Sequence, residues 1–196
     1  MYYRLLCICF FVLLLPACKQ QYKNPHVVIQ TNVGNIELEL YADKAPKTVG
    51  RFLKNIDSGY YNNTTFYRVL KDDNQASDSW KARLIQGGMW QRQHKLYTSI
   101  PGIPHESTKE TGITHTAGTV SLARAEPGTA ATEFFICIDD EHGFDYGGKN
   151  NADGQGYAAF GRVVGGINTV NVIYNKAPET DQALIPPIDI YNIVRK

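Results

Sequence analysis

Residues 31–53, TNVGNIELELYADKAPKTVGRFL, decide the fold. Ile36, Leu38 and Leu40 alternate with Glu37 and Glu39, the period of a strand with one buried face. HVVIQT (residues 26–31) lies before it, and the Asn32-Val33-Gly34 junction reads as a turn, so the two segments form an antiparallel hairpin. The period then changes. Val49, Phe52, Leu53 and Ile56 recur at helical spacing, Pro46 suits the first turn and Gly59 suits the stop.

Downstream, Thr65–Leu70 reads as a strand, the polar stretch Lys71–Arg83 as a loop, and LIQGG (residues 84–88) as extended again. A long irregular stretch runs from Trp90 to His115. GTVSLA, EFFICI and YAAFGRVV are three further apolar strands, Ile167, Val170, Asn171, Ile173 and Tyr174 mark a second short helix, and IDIYNIV closes the chain. There is no internal repeat and no inner domain boundary. Many antiparallel strands with only two helices predict a mainly β fold, a closed barrel with the helices over its ends.

Upstream, residues 5–15, LLCICFFVLLL, form an apolar run of signal-peptide length, too short to cross a bilayer comfortably. The LPAC that ends this region resembles the lipobox of bacterial lipoproteins. That resemblance implies a signal peptide over residues 1–17 and a lipid on Cys18; the short polar stretch that follows reads as a tether over 18–25, and the remaining length suits one folded domain over 26–196. Lys19 is not the aspartate that retains some lipoproteins in an inner membrane, so the expected location is an outer-membrane anchor facing the periplasm. Removing Arg4 leaves 19 of the 20 basic residues against 19 acidic ones, so no charge excess favours nucleic acid. Cys7 and Cys9 leave with the signal and Cys18 carries lipid. Cys137 then has no disulfide partner and packs as a small hydrophobe.

The chemistry starts from FYRVL (residues 66–70). A regular strand would point Phe66, Arg68 and Leu70 the same way, a cation between a phenyl ring and a leucine. Snorkelling explains such an arginine; so does a charge aimed at a substrate. Other chemistries find little support. The five histidines lack metal-ligand spacing, Ser121 has no flanking elbow glycines, and the DGQG and GGKN runs lie in a loop.

Taken in order, TNVGNIELELYADKAPKTVGRFL, GYYNNTTFYRV, IQGG, GTVSLAR, EFFICI and GYAAFGRVVGG resemble the cyclophilins, peptidyl-prolyl cis-trans isomerases, from about Val27 to Val194. The resemblance implies an eight-stranded antiparallel barrel capped by two helices and an enzyme without metal or cofactor. Its substrates would be proline-containing segments of unfolded or exported proteins, and it would act as a monomer. Arg68 takes the place of the catalytic arginine and Gln86 that of the glutamine bracing it. Phe135, Leu84 and Phe144 match the proline pocket, and Ala123 and Arg124 the main-chain peptide site. Family members usually have asparagine in place of Arg124, so only its backbone role carries over. Tyr157 stands where many members have histidine, Arg83 where a pocket phenylalanine is common, and Gly143 where cyclosporin-sensitive members have tryptophan. Phe160 reads as core. The competing reading is a non-catalytic peptide-binding or assembly module on the same barrel.

Overall fold

The computed structural model describes residues 22–196. The expected signal peptide, Cys18 and the tether as far as residue 21 lie outside the described residues. Eight strands, β1 (His26–Thr31), β2 (Gly34–Leu40), β3 (Thr64–Leu70), β4 (Leu84–Gly88), β5 (Thr119–Leu122), β6 (Phe134–Cys137), β7 (Ala158–Gly165) and β8 (Ala183–Arg195), form a closed antiparallel barrel. The order around it is β1-β2-β7-β5-β6-β4-β3-β8, and β8 pairs back to β1. The hairpin read from the sequence is in place, with Thr31 opposite Gly34 and the three apolar residues of β2 buried.

Helix α1 (Pro46–Asp57) buries Val49 and Phe52, and α4 (Ile167–Lys176) buries Val170 and Ile173 in the same core. Pro46 opens α1, and the buried Glu106 carboxylate accepts bonds from the Lys47 and Thr48 amides, satisfying donors that a helix start leaves over. Gly59, at φ +70°, lets the chain turn away after it. The stretch read as irregular contains two single-turn helices, α2 (His94–Tyr97) and α3 (Thr108–Thr111). Four residues are too few to show a helical period; α3 instead depends on a capping box between Ser107 and Glu110.

Register explains the two faces of the wall. Val69, Ile85, Ile136 and Val120 lie opposite one another on β3, β4, β6 and β5, fully buried inside the barrel. Alternate residues point outward. There Arg68, Gln86 and Phe135 make one row across β3, β4 and β6, and Leu70, Leu84 and Cys137 make the next. The second row joins Phe135, Ala82 and Phe144 in a hydrophobic cluster separate from the barrel core. Phe134 and Phe160 belong to the core, as read for Phe160.

The expectation that Phe66 shares a face with Arg68 is corrected here. Phe66 pairs with Gly87 and Arg68 with Gln86, so Tyr67 has no opposite residue in β4. This β-bulge slips the alternation by one residue. Phe66 turns into the core, 5.7 Å from the Phe134 ring, whereas Tyr67 and Arg68 both face outward. β8 is longer than the IDIYNIV segment and carries Pro186 and Pro187. They fall where its ladder to β3 is broken, between the Ala183–Arg68 and Ile188–Phe66 pairs, so their missing N–H groups cost no ladder bond.

Candidate active site

Two cavities open on the outer face of the barrel wall and share Arg68, Gln86, Ala123 and Arg124. The smaller, about 250 Å³, is floored by Leu84, Phe135 and Leu70 and walled by Phe144, Tyr157 and Ala82. Phe135, Phe144 and Tyr157 meet edge to face at centroid distances of 5.0–5.3 Å, an apolar aromatic corner. The structure thus brings together Arg68, Gln86, Phe135, Leu84, Ala123, Arg124, Phe144 and Tyr157 around one recess.

Arg68 is tied down on two sides. Its Nε and Nη2 donate to Gln182 Oε1 at 3.0 and 2.7 Å, and its Nη1 donates to Gln86 Oε1 at 3.2 Å. These acceptors are neutral, so the guanidinium keeps its charge uncompensated beside an apolar wall, with further N–H groups available. The network continues outward. Gln86 Nε2 donates to Tyr67 Oη at 2.9 Å, and Tyr67 Oη donates to Glu133 Oε2 at 2.6 Å. Burial pushes the Tyr67 phenol up and the Glu133 charge adds to this, so Tyr67 stays a donor. Burial also raises the Glu133 carboxyl above its ordinary range, opposed by hydrogen bonds from Tyr67, the Trp90 and Met89 amides and Thr132. The carboxylate packs over Gly88, where a Cβ would stand 2.3 Å from Oε1; only glycine fits there.

Arg124 does more than lend its main chain. Its Nε and Nη2 donate to the Gly156 carbonyl and its Nη1 and Nη2 to Asp153, and its guanidinium lies 5.3 Å from the Tyr157 ring centre. The side chain is 1% exposed and bolts the loop over residues 145–156 to the pocket wall. Arg83, read as standing at a pocket position, points away from the recess and pairs with Asp72 and Asp139. Its neighbour Ala82 faces the pocket instead. At Gly143 a Cβ would meet Asn150 Oδ1 at 2.0 Å, so a side chain there requires the Asn150 side chain to move. A tryptophan nevertheless reaches the pocket rim from another segment: Trp80, on the 71–83 loop, with Lys149 Nζ 4.5 Å from its ring centre.

Behind Phe135 lies an array that residue type alone would mistake for a hydrolase. His115 Nδ1 is 2.8 Å from Asp145 Oδ1 and His115 Nε2 is 3.0 Å from Ser121 Oγ. Both His115 and Ser121 are fully buried, so no substrate reaches them. His115 stacks on Phe135 and meets Phe144 edge-on, so the array positions the pocket rings. Burial works against ionisation of Asp145, but hydrogen bonds from His115 and His142 outweigh it and hold the carboxyl below its ordinary range.

Gln182, Tyr67 and Glu133 went unread as site residues. Gln182 is 114 positions from Arg68 and sits in a polar connection before β8. Tyr67 faces the site only because of the bulge. Glu133 left one trace, an acid at the head of the apolar run EFFICI.

A family model described as cyclophilin type peptidyl-prolyl cis-trans isomerase/CLD matches residues 26–195. Peptidyl-prolyl cis-trans isomerase A of Dickeya dadantii is 34% identical over 149 residues, covering 76% of this chain and 70% of its own. Peptidyl-prolyl cis-trans isomerase B of Escherichia coli is 34% identical over 155 residues, covering 75% and 82%. Two crystal structures of a Cryptosporidium parvum cyclophilin type peptidyl-prolyl cis-trans isomerase align with TM-scores of 0.68. One is 25% identical and covers 88% of this chain and 98% of its own; the other, 26% identical and covering 87% and 98%, was determined in the presence of the dipeptide Ala-Pro.

Proposed function

The chain belongs to the cyclophilin family and is a peptidyl-prolyl cis-trans isomerase, and from that premise we propose that Arg68 is its catalytic residue. Rotation about a prolyl amide is slow because it breaks resonance, at a barrier of about 18–20 kcal/mol. No bond is made or broken, so the catalyst needs only to favour the twisted amide over both planar forms. Twisting pyramidalises the nitrogen and gives it a lone pair. Arg68 donates an N–H to that nitrogen while the proline ring sits in the cavity of Leu84, Phe135 and Phe144. The observation that carries this is the fixed guanidinium, held through three of its N–H groups by Gln182 and Gln86 beside an apolar recess. The apolar wall excludes water and strengthens the donor. Gln86, Ala123 and the Arg124 main chain hold the peptide; the Cryptosporidium structure determined in the presence of the dipeptide Ala-Pro supports proline peptides as ligands.

In a protease-coupled assay on a short Xaa-Pro peptide, Arg68→Ala should lower turnover by roughly 10²–10³, the cost of losing one transition-state donor. Arg68→Lys should recover little, because a point charge does not reproduce the fork. A folded Arg68→Ala protein with near wild-type turnover would show that the arginine merely snorkels.

We further propose that the enzyme is a monomer held on a membrane through a lipidated Cys18, in the outer membrane facing the periplasm, where it serves exported proteins. The apolar run over residues 5–15 and the LPAC sequence support this. Several acyl chains on one cysteine anchor firmly where a single chain binds marginally. Cys18→Ser should release the protein from the membrane fraction. Wild-type protein found wholly in the soluble fraction would sink the anchor.

A further inference from the structure

The larger cavity, about 560 Å³, lies across Arg68 from the proline recess and has a chemistry of its own. Tyr67, Trp90 and Tyr97 line it, with the Tyr67 and Trp90 rings 5.5 Å apart. Glu133 is the one acidic residue in its lining. The geometry points to a subsite for a positively charged side chain, lysine or arginine, within two residues of the isomerised proline. This rests on the isomerase reading of Arg68, because the two cavities are joined through the residues that hold it.

A cation is attracted to aromatic faces by their quadrupoles, and more strongly where water is excluded. It is attracted further by a carboxylate that is itself held in place. Tyr67 Oη donates to Glu133 at 2.6 Å, the Trp90 amide at 3.1 Å and Thr132 Oγ1 at 3.2 Å. The Tyr67 hydroxyl stands at the short distance of a charge-assisted bond, and the three donors fix the carboxylate in place. Glu133 is 6% exposed, so its charge is screened little by salt. Of the two arginines on the shared wall, Arg124 is already matched by Asp153 and the Gly156 carbonyl. Arg68 keeps its positive charge at the boundary with the proline recess, where Gln182 and Gln86 hold it, so the bound cation would sit at the aromatic end beside Glu133, away from that guanidinium. The aromatic walls take the aliphatic stem of a lysine, and the acidic end takes its head.

The test is a series of proline peptides carrying lysine, norleucine or glutamate at each of the two positions before and after proline. kcat/KM is read for every peptide. At one position lysine should exceed norleucine by about tenfold, the size expected for a partly desolvated cation–aromatic contact, with glutamate below both. Glu133→Gln and Trp90→Leu should each bring the lysine-to-norleucine ratio towards one, and Trp90→Phe should restore part of it. Trp90 is 45% exposed, so its variants fold even where Glu133→Gln does not. Norleucine peptides report isomerase activity by themselves. If they turn over while no position prefers lysine by more than about twofold, or if glutamate is preferred, the cationic subsite is overturned and the isomerase reading stands.

Discussion

Arg68 needs Gln182 to be aimed, and a double-mutant cycle measures how much. Gln182→Ala removes the single oxygen that accepts from both Nε and Nη2, and leaves the Gln86 contact at 3.2 Å. Hydrogen bonds to charged groups contribute about 1.5–3 kcal/mol net. The site is part-buried and water can take over some of the contact, so the lower end applies, about 1.5 kcal/mol or roughly tenfold in turnover. Arg68→Ala costs about 2.7–4 kcal/mol by itself. If Gln182 acts only through the guanidinium, adding Gln182→Ala to Arg68→Ala costs nothing more, and the coupling energy equals the whole effect of the single change. The assay is protease-coupled isomerisation of one Xaa-Pro peptide by the four proteins, with circular dichroism to confirm folding. A tenfold loss from Gln182→Ala in the Arg68→Ala background would refute the reasoning, as would no loss at all in the wild-type background.

Phe52→Ala should destabilise the fold by about 3–5 kcal/mol in denaturant titration, since the ring is fully buried and lies 5.0–5.6 Å from Tyr61, Phe134 and Phe160. Asp145 has its carboxyl depressed in the folded state, so the stability it contributes is present above the ordinary value of 3.8 and is lost as pH falls through the folded value. Thermal melts of Asp145→Asn should therefore match wild type in strong acid and fall below it from about pH 4 upward; a constant gap across that range would contradict this.

The barrel was legible because its strands announce themselves. The β2 alternation, the Pro46 start and the spacing of Val49, Phe52 and Ile56 each have a local cause. Arg68, Gln86 and Phe135 were legible through their neighbours in sequence, and register places them in one row. What escaped reading depends on contacts between distant segments or on breaks in period. The bulge at Tyr67 carries no glycine or proline to mark it. The direction of Arg83 follows from where Asp72 and Asp139 lie, and the role of Gln182 from a crossing of chain far from Arg68. Single-turn helices have no period to detect.

The bulge also constrains how this enzyme can change over generations. It sets Tyr67 and Arg68 side by side on one face, and Gln86 holds both. A mutation at position 67 that alters which neighbouring side chains are accepted also loosens the glutamine that steadies the reacting group. Selectivity and speed are therefore not independently heritable here. Among descendants of this sequence, positions 67, 86 and 133 should vary together or not at all, and a search for new selectivity that randomises one of them alone should return slow enzymes.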